Sequence, residues 1–177
     1  MVADYSLAKW VPADPTNYRM ANRASFDCVI VHVTDGRARP EPVAEMWQEP
    51  HHGSSAHFVI GQDGAIIQCV PLKDVAYHAH AVNSHSVGIE HCARSPKELG
   101  PDDGGLPVSE EQYASSSKLV AWICTTYGIK PSRATIMGHN EADHATSHAD
   151  CPTGAGWDWT KYMAMVMAEY QKNVMVA

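Results

Sequence analysis

The sequence has no long apolar run, no excess of positive charge and no leader pattern, and each absence excludes a class of protein. No stretch of its 177 residues stays apolar for long enough to span a membrane. The formal net charge of −7 argues against nonspecific binding to nucleic acid. The N-terminal residues lack the basic and apolar regions of a signal peptide. We therefore expect cytoplasmic synthesis, no membrane or nucleic-acid partner, and action elsewhere only after release or delivery.

Cysteine is scarce and shows no pairing pattern. The five cysteines are an odd number and form no Cys-x-x-Cys motif, which argues against a disulfide framework. Cys151 stands apart because its neighbours are polar and include His148 and Asp150. The others lie in apolar, strand-like or helical stretches and are predicted to be small buried side chains: Cys28, Cys69, Cys92 and Cys124.

What is present is the composition of an ordinary globular protein. Apolar residues make up 45% of the chain and charged residues 19%. A chain of this length can bury a substantial core as one domain. We predict a single folded domain over residues 27–177, with residues 1–26 as an irregular arm packed on it, and a monomer.

The pattern of elements predicts an α/β fold with a central mixed β-sheet flanked by helices. Residues 26–33 form a β-branched run that predicts a buried strand, and residues 86–92 predict another. Asp63-Gly64 between two apolar runs predicts a hairpin over residues 56–70. A short strand is predicted at residues 133–137. A hairpin combined with crossover connections requires a sheet of mixed direction.

Helices are predicted at three places. Residues 42–48 have apolar side chains at helical spacing. Ser109 and Gln112 form a capping box that opens a helix running to about Tyr127. A last amphipathic helix is predicted over about residues 159–172, and residues 96–107, rich in Gly, Pro and Asp, are predicted to be a surface loop.

A polar stretch near the end of the chain, residues 136–152, carries most of the chemistry. It concentrates imidazole, carboxylate and thiol groups, among them His139 and Cys151. These groups bind borderline-soft divalent metals, and His32 at the end of the first strand is a candidate ligand from upstream. Two His with one Cys or Asp leave a fourth position open, which is typical of a catalytic zinc site.

The chain resembles the zinc-dependent N-acetylmuramoyl-L-alanine amidases, a family that includes phage endolysin amidases, cytosolic anhydromuropeptide amidases and peptidoglycan-recognition proteins. The resemblance runs from about Cys28 to Trp159. Six short motifs occur in the order found in the family: Val-Ile-Val-His32; Ser55-Ala-His-Phe-Val-Ile60; Ala76-Tyr-His-Ala79; Asn83 ahead of Ser86-Val-Gly-Ile-Glu90; Gly138-His-Asn-Glu141; and Asp150-Cys-Pro152 followed by Trp157-Asp-Trp159.

The resemblance implies one zinc ion per chain and assigns roles to individual residues. His32, His139 and Cys151 match the zinc ligands, with Asp150 as the alternative third ligand. Glu90 matches the acidic residue that supports water activation. The matching substrate-contact positions are His78, Asn83, His57 and Trp157.

Two positions depart from the family pattern. Ala56 stands where some members have a catalytic Tyr, so the acid–base work falls to Glu90. Ala149 stands where many members have Lys, Thr or His, and His148 beside it is predicted to supply the missing donor.

The implied reaction is hydrolysis of the amide between the lactyl group of N-acetylmuramic acid and L-alanine. Zinc would lower the pKa of a bound water to about 7 and polarise the carbonyl. Glu90 would accept the water proton and pass it to the leaving amine, and His148 would donate to the oxyanion. The substrate is then peptidoglycan or a muropeptide.

Other functions remain open from the sequence. A cell-wall lytic enzyme of the endolysin type is the first hypothesis, and a cytosolic amidase that recycles anhydromuropeptides is the second. A non-catalytic peptidoglycan receptor is disfavoured because all three candidate ligands are present. A structural zinc module would require a fourth protein ligand, for which His144 or His148 is available.

Overall fold

A mixed β-sheet forms the centre of the computed structural model, which describes residues 2–36, 38–95 and 106–176. The six strands of the sheet in this part of the chain are β1 (Lys9–Trp10), β3 (Cys28–Val33), β4 (Phe58–Ile60), β5 (Ile66–Gln68), β7 (Ser86–His91) and β8 (Ile136–Gly138). Their spatial order is β1-β5-β4-β7-β3-β8. Strands β2 (Tyr18–Arg19) and β6 (Val75–Ala76) form a separate antiparallel pair.

Parallel pairing dominates the middle of this sheet. β3 lies between β7 and β8 and is parallel to both. β4 is parallel to β7 on one side and antiparallel to β5 on the other, as the Asp63-Gly64 hairpin predicts. The prediction of an α/β fold with a mixed sheet is therefore confirmed.

Four α-helices of the described chain surround the sheet: α1 (Glu41–Met46), α2 (Glu110–Tyr127), α3 (His139–Ala142) and α4 (Trp159–Val176). Ser109 and Gln112 form the predicted capping box of α2, and Gly128 ends that helix with a φ of 69°. The longest helices, α2 and α4, have 18 residues each. No helix of the described residues has both the length and the apolar content needed to cross a bilayer.

The two faces of the central strands pack against different neighbours because side chains alternate along a strand. One face packs against α2 and α4 and forms the main core, which includes Val29, Val31, Val87, Ile89, Leu119 and Tyr162. Ile30 belongs to another cluster on the opposite side, and His32 follows it two residues later. This alternation leaves His32 and Glu90, partners in the register of β3 and β7, on the face away from the two long helices.

A buried hydrogen-bond chain ties the ligand-bearing end of β3 to those helices. His91 Nδ1 donates to the carbonyl of His32 at 2.9 Å. Its other ring nitrogen lies 2.9 Å from Ser116 Oγ on α2, which in turn lies 2.7 Å from the hydroxyl of Tyr162 on α4. The end of β3 is thereby fixed from the core side.

Several predictions of local structure need correction or remain untested. Residues 1–26 are more regular than an arm, because β1 adds an edge strand beside β5 and β2 pairs with β6. The division at residue 27 stays a prediction. The last helix extends past residue 172 to Val176, and β8 begins only at Ile136 because Ser132 and Thr135 close a turn before it. Most of the predicted loop at residues 96–107 lies outside the described residues.

Candidate metal centre and cleft

The structure brings His32, His139 and Cys151 together. One potential ligand atom of each lies within 4.8 Å of the other two, and all three residues are buried. His32 is the last residue but one of β3, and α3 begins at His139 directly after β8. Because β3 and β8 are adjacent and parallel, their carboxyl ends meet at the same edge of the sheet.

The donor set fits a zinc ion. Nε2 of His139 is buried and has no hydrogen-bond partner among the described residues, which is costly unless a metal or another group satisfies it. Cys151 Sγ lies 3.3 Å from the backbone N–H of Val33. Burial raises the pKa of the Cys151 thiol, and the Glu90 carboxylate adds to the increase. A bound cation is the kind of group that reverses this preference and favours the thiolate.

Asp150, the alternative third ligand, does not join this cluster. Its carboxylate lies against Gly154, where a β-carbon would collide with it. The turn that follows therefore directs the Cys151 side chain, rather than that of Asp150, toward the two histidines.

One other group of three potential ligands occurs in the described chain, at the opposite end of β3. Asp27 Oδ1 lies 2.8 Å from His85 Nδ1, and Cys28 Sγ lies 3.8 Å from the same nitrogen. Asp27 and His85 are exposed, so an ordinary surface ion pair accounts for this arrangement.

Glu90 lies beside the candidate metal ligands. It is opposite His32 in the parallel register, and it lines the same cleft. Burial, and to a smaller extent the charge of Asp35, raises the pKa of the Glu90 carboxyl from 4.5 to about 8. Its Oε2 is buried with no hydrogen-bond partner among the described residues.

The cleft has a volume of about 200 Å³. Besides the residues already discussed, its lining includes Thr34, Trp47, Ser54, Ser55 and Tyr77, none of which was predicted as a site residue. A more apolar recess of about 280 Å³ adjoins it beside Met46 of α1 and shares Trp47 and Glu90. On the other side, a depression of about 230 Å³ beside His80 shares Ser54 and Tyr77.

His148 lies at the rim of the cleft. Its ring is exposed and stacks on that of His139, with the centroids 5.6 Å apart. This position leaves the imidazole free to meet a bound molecule, as the predicted donor role requires. His144 is also exposed but does not belong to the cleft lining.

His78 reaches the site in an unexpected way. Its Nδ1 lies 3.0 Å from Nε2 of His32, and its Nε2 lies 3.1 Å from Ser86 Oγ. Burial lowers the pKa of both His32 and His78 well below the ordinary value, which favours the neutral form of both rings. Both ring nitrogens of His78 have partners within the protein, but the residue lines the cleft, so its substrate contact stays a prediction.

Asn83 keeps one group available. Its Oδ1 accepts hydrogen bonds from the backbone N–H groups of His78 and Ala79, at 3.1 and 2.7 Å. Its Nδ2 makes no hydrogen bond within the described chain, and the residue lines the depression beside His80. A substrate contact by Asn83 therefore stays a prediction.

The predicted substrate contacts of His57 and Trp157 do not fit their positions. His57 is fully buried behind His78, and its Nδ1 accepts the N–H of Gly88 at 3.1 Å. Trp157 packs its ring against His91 and Tyr162 in the core beneath the sheet, with centroids 4.6 and 4.7 Å away. Neither residue lines the cleft.

Comparison with known proteins gives a consistent family match. The family model described as N-acetylmuramoyl-L-alanine amidase matches residues 22–154. The N-acetylmuramoyl-L-alanine amidase A of Achromobacter lyticus is 31% identical over 180 residues, which cover 92% of this chain and 95% of the relative. The 1,6-anhydro-N-acetylmuramyl-L-alanine amidase AmpD of Enterobacter cloacae is 32% identical over 133 residues, which cover 70% of this chain and 63% of that protein.

Solved structures show the same fold. A selenomethionine derivative of AmpD superposes with a TM-score of 0.67 at 23% identity, covering 94% of this chain and 99% of the other. A mutant endolysin from Bacillus subtilis gives a TM-score of 0.68 at 22% identity, with the same shares covered.

Proposed function

The chain belongs to the N-acetylmuramoyl-L-alanine amidase family, and we propose that it is a zinc-dependent hydrolase of peptidoglycan. The bond cleaved is the amide between the lactyl group of N-acetylmuramic acid and the L-alanine of the stem peptide. One observation carries the zinc assignment: two histidines and a cysteine converge at the sheet edge beside a carboxylate of raised pKa.

His32, His139 and Cys151 hold one zinc ion in this proposal. A zinc ion held by these residues would supply Lewis acidity, which would lower the pKa of a water and polarise the substrate carbonyl. The absence of a fourth candidate ligand from the cluster in the described chain supports a catalytic rather than a structural site.

Glu90 is the general base and then the general acid. Burial makes the Glu90 carboxylate a stronger base than an exposed one, because it raises the pKa of the carboxyl. It accepts a proton from the attacking water and returns it to the amine that leaves. Position 56, where some family members have a catalytic Tyr, is a buried alanine in this chain, so no side chain there can share the proton transfer with Glu90.

His148 is the donor to the developing oxyanion. Its exposed ring beside His139 can approach a carbonyl in the cleft without moving the sheet. Asn83 contributes a substrate contact through Nδ2 from the adjoining depression.

The polymeric cell wall is the first substrate candidate, with the protein acting as a monomer once it is released or delivered. A soluble anhydromuropeptide is the second candidate, and the similarity to AmpD is the observation that favours it. The two are separated by assaying intact peptidoglycan and soluble muropeptide side by side.

The test measures zinc content and the release of new L-alanine amino termini from both substrates. The native protein should contain one zinc per chain and cleave at least one substrate. Glu90→Gln should keep the zinc and the fold but lose about 10²- to 10⁴-fold in kcat, the usual contribution of acid–base catalysis. Glu111→Gln, an exposed glutamate at the start of α2, is the matched control and should behave as the native protein does.

Two results would contradict the proposal. If the native protein binds zinc and cleaves neither substrate, it is not an amidase. If Glu90→Gln retains full activity, the carboxylate is not the base.

A further inference from the structure

A row of polar groups leads from a backbone carbonyl to the ring of His32. It consists of the Val82 carbonyl, Ser86 Oγ, His78 and His32. We propose that His78 is a positioning residue that fixes the tautomer of His32 and so assigns Nδ1, rather than Nε2, as the atom that binds the metal. The inference rests on the proposed zinc site, but its first test does not require zinc.

The direction of the hydrogen bonds follows from one hydroxyl proton. Ser86 Oγ lies 2.8 Å from the carbonyl of Val82, which can only accept, so the hydroxyl donates there. Because its single proton is directed at the Val82 carbonyl, Ser86 Oγ must accept a hydrogen bond from the N–H at Nε2 of His78, 3.1 Å away. His78 therefore carries its proton on Nε2.

The proton on Nε2 of His78 also determines the role of its other ring nitrogen. A neutral imidazole has one N–H, so Nδ1 of His78 is a bare acceptor. That acceptor lies 3.0 Å from Nε2 of His32, which must then donate. His32 is held as the Nε2–H tautomer, and the lone pair of its Nδ1 is left for a metal ion.

Two neighbouring features hold His78 in place. Gly88 on β7 has no side chain, and a β-carbon there would lie 2.5 Å from Cγ of His78. The ring therefore lies directly on the strand, where only glycine leaves enough room. From the other side, Asn83 Oδ1 binds the backbone N–H of His78. Ser86, Gly88 and Asn83, which belong to the motif around Glu90, therefore all help to hold His78 in position.

The first experiment observes the tautomers directly. Long-range ¹H–¹⁵N correlation spectra of the zinc-free protein should show Nε2–H for both His32 and His78. In Ser86→Ala, His78 loses its acceptor and should populate the Nδ1–H form. In the zinc-loaded native protein, the metal-induced ¹⁵N shift should fall on Nδ1 of His32.

The second experiment measures zinc affinity by competition with a chelator. Leucine and asparagine have nearly the same shape, but only asparagine offers an oxygen where Nδ1 of His78 lies. His78→Leu should bind zinc about 10- to 100-fold more weakly, the usual effect of losing a residue that orients a metal ligand. His78→Asn should recover most of that loss. His85→Ala, which dismantles the other group of potential ligands, should leave the affinity unchanged.

The outcomes separate this inference from the proposed function. A zinc-free His32 protonated on Nδ1, or equal zinc affinities for folded His78→Leu and His78→Asn, would overturn the tautomer assignment while leaving an active zinc amidase intact. If the native protein binds no zinc, the proposed function fails, whereas the tautomers of the zinc-free protein still report on His78.

Discussion

His57 should make the protein sensitive to mild acid. Its Nδ1 accepts the N–H of Gly88 at 3.1 Å, and its Nε2 lies 3.2 Å from the carbonyl of Asp74 and 3.0 Å from Nη2 of Arg23. A second ring proton would face the N–H of Gly88 and add a cation beside the guanidinium. Burial, reinforced by Arg23, accordingly lowers the pKa of His57 from 6.5 to about 3.

The size and sign of the effect follow from linkage. The folded-state pKa lies below the unfolded value, so the contribution of neutral His57 is complete above pH 6.5 and is lost as the pH falls toward 3. At pH 5 the unfolded imidazole is protonated and the native one is not. At about 1.36 kcal/mol per unit, the roughly 1.5 units between pH 5 and the unfolded pKa cost about 2 kcal/mol.

Urea unfolding of the zinc-free protein at pH 7.5 and pH 5 measures this loss. His57→Asn keeps an acceptor for Gly88 but cannot be protonated, so its free energy of unfolding should fall by about 2 kcal/mol less than that of the native protein over this interval. His52→Asn, at an exposed position, should lose as much as the native chain. An equal loss in the native protein and His57→Asn would refute the claim that His57 is buried in neutral form.

Two further predictions concern stability. Ser109→Ala removes the N-cap of α2 and a hydrogen bond to the Gln62 carbonyl, and it should lower the free energy of unfolding by about 1–2 kcal/mol in urea titrations; an unchanged midpoint would show that the cap contributes nothing. Trp157→Leu should cost about 2–3 kcal/mol because the indole fills the core between His91 and Tyr162, while KM for muropeptide stays at the native value; a raised KM without a loss of stability would restore the substrate contact first predicted for it.

Residue patterns were sufficient to predict the main elements of the fold. The β-branched run at residues 28–33 is buried because both faces of this strand are covered, and strands of this kind are rich in apolar side chains. The capping box of Ser109 and Gln112 is predictable because its two reciprocal hydrogen bonds are local, and the structure has both of them. The convergence of His32 and His139 also follows from the sequence order, since adjacent parallel strands end at one edge of the sheet.

Side-chain direction could not be predicted in the same way. Asp150 and Cys151 are neighbours in sequence, and only the turn that follows them determines which side chain meets the histidines. His57 and His78 both belong to motifs of the family, yet one is enclosed in the core and the other contacts a candidate ligand. These outcomes depend on which contacts each ring finds in three dimensions, which a one-dimensional pattern does not record.

The separation of the candidate ligands along the chain bears on how the protein matures. Val33 and Cys151, whose backbone N–H and sulfur meet at the site, are 118 positions apart. During synthesis, His32 emerges long before either of its companions, and it gains them only after β8 has joined the sheet. The three candidate ligands therefore come together only when most of the fold exists, so a metal ion bound by them would be captured late in folding. Free zinc would then stabilise the finished protein selectively, by about 2.7 kcal/mol at a concentration 100 times the dissociation constant.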